Sequence, residues 1–212
     1  MNAASADQPA PRRSKPDVVD AAMSVLAENG IAGLSMRRIA DELDVQVSAL
    51  YWHFPNKQAL LAAVSARMVA GESDAESDAE SDAPDLAATA TALRDRLLAH
   101  RDGAEVVSSS LALGLLDLPA RQRLVEAALA AGLTDAAAEV AADTLVHYVI
   151  GFTFHEQQRV HAAVIGAADP SVDLSPARLA SPGASPDDNF AAGLALIVSG
   201  IRSAAGTHAP AS

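Results

Sequence analysis

The chain contains no cysteine, which excludes disulfides, a thiol nucleophile and every cysteine-ligated zinc or iron–sulfur centre. Aromatic residues are only 3% of the sequence against 50% apolar overall, and Trp52 is the single tryptophan. A core with so few rings must be built from aliphatic side chains, and 49 of the 212 residues are alanine. Alanine is the best helix former and the β-branched residues are dispersed, so an all-α fold is expected. Long hydrophobic runs are also missing. The longest strongly apolar stretch, Ala191 to Ile201, is half of what a membrane span needs. The N-terminal MNAASADQPAPRRSKP has charge and proline but no apolar core, so it does not read as a signal peptide. The composition therefore predicts a soluble, cytoplasmic protein with no membrane partner.

Positive charge is scarce and unevenly placed within a net charge of −12. Residues 1–70 balance seven basic groups (Arg12, Arg13, Lys15, Arg37, Arg38, Lys57, Arg67) against seven acids. Beyond residue 70, eight arginines face twenty acids. Only the first part of the chain tolerates a polyanion nearby.

The organisation follows from capping and periodicity. Residues 1–13 read as a disordered basic arm. Ser14-Lys15-Pro16-Asp17 has the form of a capping box, and Val18, Ala22, Val25 and Leu26 make an apolar face that stops at Asn29-Gly30. Ser35 caps a second helix from Met36 to Leu43. After a turn at Asp44-Val45, a third runs from Val47 to His53. Pro55-Asn56 breaks it, and a fourth extends from Lys57 to Ala70 with Leu60, Leu61, Val64 and Met68 as its stripe. Short helices joined by such a turn form a helix-turn-helix unit, so residues 14–70 are read as a DNA-binding domain.

Residues 71–85, GESDAESDAESDAPD, repeat an acidic tetrapeptide without a strongly apolar residue and read as a solvated linker. Residues 86–205 read as a larger helical domain, and 206–212 as a disordered tail. Leu86 to Arg101, Pro119 to Ala131 and Asp135 to Val160 carry helical periodicity. The proline-rich residues 166–186 read as a long loop. A final helix, Asp188 to Arg202, is apolar or small nearly all round, so it must be covered on two sides. One side is the domain core. The other is expected to be a second subunit.

The segment SMRRIADELDVQVSALYWHFPNKQALL (35–61) resembles the DNA-binding domain of the tetracycline repressor family, nearest in LYWH-x-x-NK-x-ALL to its tetracycline-binding members. The resemblance implies a homodimeric transcriptional repressor that binds a palindromic DNA operator and responds to a small-molecule effector. It places Arg37 on a guanine edge, Val47, Ser48, Ala49 and Tyr51 on base-facing positions, and Trp52, His53 and Lys57 at phosphate or as anchors. The glutamine, proline and threonine of the tetracycline-binding members are absent at 47–49, so their operator is not assumed. Asp44 stands where the family has a turn glycine, at a cost of about 1 kcal/mol if left-handed. Trp52 alone is equally readable as a packing residue.

Past the linker, LLAHRDGAEV (97–106) resembles the helix and turn that open the family's effector domain. By that resemblance the drug contacts fall on Ser73, Thr89 and Leu93, and the first metal-ligating histidine on Val107. Leu124, His147 and Gly151 join them, and the acid that helps hold the metal's water falls on His155. With the ligand types replaced, a magnesium–tetracycline complex is not expected; the positions imply a largely apolar effector, with no cofactor and no metal. His155-Glu156 begins like H-E-x-x-H, but Arg159 takes the second ligand's place. His161 lies about 240° further round the helix and cannot substitute. No phosphate loop, Ser-His-Asp set or paired-carboxylate site stands out, so the protein is not expected to be an enzyme. Two alternatives remain open: an activator or dual regulator of the same fold, and a helical-bundle enzyme.

Overall fold

In the computed structural model the described residues are 13–70, 85–164, 166 and 185–206, and they form helices without strands. The basic arm, nearly all of the acidic linker, most of the 166–186 loop and the tail lie outside them. The chain divides into two compact units, Met1–Leu60 and Leu61–Ser212.

The first unit begins with α1 (Lys15–Gly33). Ser14 and Asp17 form the expected capping box, and the chain leaves helical geometry at Gly30, where φ is 67°. There follow α2 (Met36–Glu42), capped by the Ser35 hydroxyl on Arg38 N–H, and α3 (Val47–Tyr51). The third helix is two residues shorter than its pattern predicted, because the His53 and Phe54 amides both donate to the Leu50 carbonyl and close it off. Ile39, Ala40, Leu50 and Phe54 join Val18, Ala22 and Leu26 in a small apolar core with one ring.

α4 (Lys57–Ala70) starts at the Asn56 side chain, which accepts from Ala59 N–H at 2.8 Å. The boundary between units falls inside this helix, ten residues before the break expected at the linker. The reason is packing: Ser65, fully buried, donates to the Val106 carbonyl and pairs with Ser110 at 2.8 Å, binding the later part of α4 to the second unit.

The second unit comprises that stretch with α5 (Leu86–Leu98), α6 (Gly103–Ala112), α7 (Pro119–Ala130), α8 (Asp135–Val164) and α9 (Pro186–Gly206). α8 is the axis, contacting α5, α6, α7 and α9. Its buried face is Ala138, Ala141, Ala142, Leu145, Val146, Val149, Ile150 and Thr153, and the alanines let neighbouring helices approach closely. Arg121 on α7 holds Asp143 and Glu139 of α8, each at 2.6 Å. Tyr148 donates to the Phe190 carbonyl at 2.9 Å and stacks on the Phe190 ring, docking α9. By length and composition α9 could cross a membrane, yet Phe190, Leu194, Val198 and Ile201 are buried in the unit's core. It starts two residues earlier than expected because Ser185 and Asp188 build a second capping box.

Candidate nucleic-acid interface

The α2–α3 turn closes tightly. Val45 N–H donates to the Ala40 carbonyl and Asp44 N–H to that of Asp41, with Asp44 left-handed at φ 52°. That is the conformation in which aspartate is strained relative to glycine, as the sequence suggested. Arg13 donates from Nη2 to the Leu43 carbonyl at 3.2 Å, tying the start of the chain to this turn. Sequence reasoning counted Arg13 only as arm charge.

Leu50 is the buried anchor of α3, and the residues around it point elsewhere. Ser48 is exposed, Val47 and Ala49 are partly exposed, and Tyr51 is 51% exposed. Trp52 is 88% exposed, which removes the packing alternative for it. Phe54, two residues on, is the aromatic that turns inward, with the Lys15 ammonium 5.8 Å from its ring centroid. His53 and Lys57 are partly exposed. Of the two adjacent arginines of α2, Arg38 donates to Asn29 at 3.0 Å and is spent on holding α1. Arg37 is exposed, and no hydrogen bond or ion pair engages it among the described residues. Among its described residues the first unit therefore carries one exposed guanidinium without a protein partner, a hydroxyl, a phenol and an indole along the helix-turn-helix. Those groups can donate to base edges and phosphates and stack on sugars. Asn56 of the Asn-Lys pair has a structural task, as the cap of α4.

Residues 18–64 match the family described as bacterial regulatory proteins, tetR family, and residues 75–205 match the tetracyclin repressor-like C-terminal domain. The chain belongs to the TetR family. It is 34% identical over 191 residues to the class A tetracycline repressor protein from transposon 1721 of Escherichia coli, covering 87% of this chain and 88% of that one. Among solved structures it is similar to BioQ bound to its natural double-stranded DNA operator, with 39% identity, TM-score 0.70 and coverage of 90% and 98%. A TetR variant from Acinetobacter baumannii AYE in complex with minocycline matches at 27% identity and TM-score 0.68, covering 91% of this chain and 98% of that one. This TetR-family chain is a DNA-binding transcriptional regulator and not an enzyme.

The effector positions that the resemblance suggested divide into two sets. Leu93, Val107 and Leu124 are essentially fully buried, Thr89 on α5 is partly exposed, and Ser73 lies outside the described residues. His147, Gly151 and His155 are exposed. Their spacing of four places them on one line of α8, and the buried line runs through Val146, Val149, Ile150 and Thr153 instead. The fold thus does not gather these positions around one cavity. Glu156 is committed to Arg94, which donates to both of its oxygens at 3.0 and 3.1 Å and to Asp187 at 2.8 Å. Among the described residues no group of three or more His, Asp or Glu is placed to hold a metal ion.

Arg94 is the residue that sequence reasoning missed. Its side chain is 5% exposed, its guanidinium lies 4.8 Å from the Phe190 centroid, and its Nε has no partner. A signal was present: Ala90, Leu93, Arg94 and Leu97 form one helical stripe, with a charge on an otherwise apolar face. Gln157 was missed too. Its amide donates to the Leu97 and His100 carbonyls at 3.0 and 2.8 Å, and its oxygen accepts from Ala104 N–H at 3.1 Å, so it fixes the α5–α6 turn. In that turn burial pushes the His100 imidazole below its usual value.

Proposed function

We propose that this regulator is a ligand-responsive repressor that binds a palindromic operator as a homodimer and is released by a small, largely apolar effector. The observation that carries the reading is the outward set Arg37, Ser48, Tyr51 and Trp52 on a helix-turn-helix whose other large apolar residues, Ile39, Leu43, Leu50 and Phe54 among them, are buried. Arg37 reads a guanine edge, and the methyls of Val47 and Ala49 contact thymine. Ser48 and Tyr51 face the bases beside them, and Trp52, His53 and Lys57 grip the duplex backbone or anchor the helix. A first unit with no net positive charge binds weakly alone, so two copies are needed to double the phosphate contacts.

The dimer reading is supported by the face that α8 and α9 leave in water. Val140 is 66% and Leu196 77% exposed, alongside Ala192, Ala195, Gly200 and the His147–Gly151–His155 line. On this reading those three residues meet the partner subunit, and Leu93, Val107 and Leu124 line the effector space once the bundle opens. The operator complex of BioQ and the minocycline complex of the A. baumannii repressor variant support DNA and small-molecule partners for this chain. An effector releases DNA only through its differential affinity for the two states.

Selection of bound sequences from random duplex DNA at moderate salt tests the proposal. A palindrome with a guanine in each half-site, bound by two chains, is the expected outcome. Asymmetric single sites, or no enrichment even at low salt, would refute it.

A further inference from the structure

The phosphate strands that border a major groove meet whatever flanks the recognition helix. α3 has five residues and is about 7.5 Å long, whereas the groove is about 12 Å wide. After α3 come Trp52, His53 and Lys57, which suit the duplex backbone. Before it come the end of α2 and the α2–α3 turn, and this edge is acidic: Asp41, Glu42 and Asp44 are all exposed. Three carboxylates here repel a phosphate strand unless a cation stands among them.

Arg13 is placed to be that cation. It is exposed, and its Nη2 donates to the Leu43 carbonyl, in the middle of the acidic run. One hydrogen bond to a neutral carbonyl leaves the guanidinium its charge and most of its five N–H donors. The other described basic residues of the first unit are engaged or placed elsewhere. Arg38 is held by Asn29, Lys15 lies over the Phe54 ring, Arg37 stands at the opposite end of α2, and Lys57 follows α3. Asp17 is the acid of α1 nearest in sequence to Arg13, and its carboxylate accepts from the Ser14 amide at 2.7 Å. That bond and the Ser14 hydroxyl hold Asp17 below its ordinary value, with smaller contributions from Arg13 and His53. Arg13 and His53, a residue of the interface, thus share one carboxylate neighbour.

We propose that Arg13 is a phosphate-binding residue of the DNA interface, held at the edge of the groove by the turn on which its side chain rests. The role adds a cation to the side of α3 that the resemblance to the tetracycline repressor family leaves without one. It depends on DNA binding alone and not on the effector or on the dimer.

Phosphate contacts carry no sequence information, so a labelled duplex of mixed sequence is a sufficient probe. Anisotropy titration of the full-length protein across salt concentrations compares the parent with Arg13→Gln and Arg13→Lys. Arg13→Gln should bind at least threefold more weakly at low salt. It should also reduce the slope of log affinity against log salt by about 1 per bound chain. Arg13→Lys keeps the charge and should retain the parent's slope. A residue that only clamps the turn lowers affinity equally at every salt concentration. An Arg13→Gln slope equal to the parent's, or an Arg13→Lys slope as low as that of Arg13→Gln, would therefore overturn the proposal. Loss of folding in Arg13→Gln, read by circular dichroism, would make the role structural and overturn it too. Parent binding with an unchanged Arg13→Gln slope removes Arg13 alone. A parent that binds no duplex even at low salt removes the repressor reading with it.

Discussion

Arg94 offers the most direct test of how the second unit is held together. Removing its charge with Arg94→Met strands Glu156, whose side chain is only 18% exposed, and frees Asp187, which at 80% exposed is easily rehydrated. Breaking a buried pair from one side costs roughly 3–5 kcal/mol; the low end applies because Glu156 borders an open cavity. Loss of the guanidinium over Phe190 adds roughly 1 kcal/mol, and the exposed Asp187 pair adds less. Against this, the substitution removes an Nε that is buried without a partner, which relieves roughly 1–2 kcal/mol. The net expectation is a loss of about 2–3 kcal/mol. Arg94→Met with Glu156→Leu removes the stranded carboxylate and should recover to within about 1 kcal/mol of the parent. Urea unfolding followed by far-UV circular dichroism, at fixed chain concentration, measures all the corners of this cycle. Amide exchange across the first turns of α9 should quicken in the single variant. A single variant within about 0.5 kcal/mol of the parent, or a double variant no better than the single, would refute the account.

The other expectations concern α9, acid stability and DNA. A Cβ at Gly193 would lie 2.9 Å from Tyr148 Cζ and closer still to its hydroxyl, which is held by the Phe190 carbonyl; Gly193→Ala should therefore cost about 1–3 kcal/mol in thermal or urea unfolding, partly restored by Tyr148→Phe. His100 titrates below its ordinary 6.5 in the folded chain, so the unfolded state binds more protons between the two values. Stability should fall as pH drops through 6.5, and His100→Gln should flatten that part of the stability–pH curve; an unchanged slope would dissociate it from His100. Arg37→Ala should cost roughly 1–3 kcal/mol of operator binding and relax one base position. Lys57→Ala should instead weaken all sequences alike and reduce the salt slope by about 1 per chain, as read by anisotropy titration across salt concentrations. Equal effects of both on specificity would contradict their assigned roles.

The first unit was legible because its structure is decided locally. Ser14, Ser35 and Asn56 each cap a helix within a few residues of themselves, and the left-handed Asp44 follows from a turn of fixed length. α6 was not legible. Three consecutive serines interrupt the apolar residues of VVSSSLALG, so that Ser110 completes the buried stripe of Ala104, Val106 and Val107, and the first turn is held by the Gln157 oxygen accepting from Ala104 N–H, 53 residues away. Trp52 could not be assigned from sequence either, since an indole at the end of a short helix reads equally as a packing residue or a contact. In the fold, where the His53 and Phe54 amides both donate to the Leu50 carbonyl, Phe54 is buried and Trp52 is exposed.

The effector half shows why aligned positions transfer less well than capped helices. Its polar network is non-local: Arg94 finds partners 62 and 93 residues away, so the stripe Ala90–Leu97 showed an anomalous charge without showing what neutralises it. On α8, the positions aligned with family contacts, His147, Gly151 and His155, lie on one line that the helical period sets opposite the buried face of this chain. A sequence pattern counts the faces of a helix that must be covered, and one chain can cover only those its own contacts reach. α9 was apolar on two sides in the sequence; the fold buries Phe190, Leu194, Val198 and Ile201 and leaves Leu196 in water. The residues that remained ambiguous in the second unit are those whose neighbours, on the dimer reading, belong to another chain.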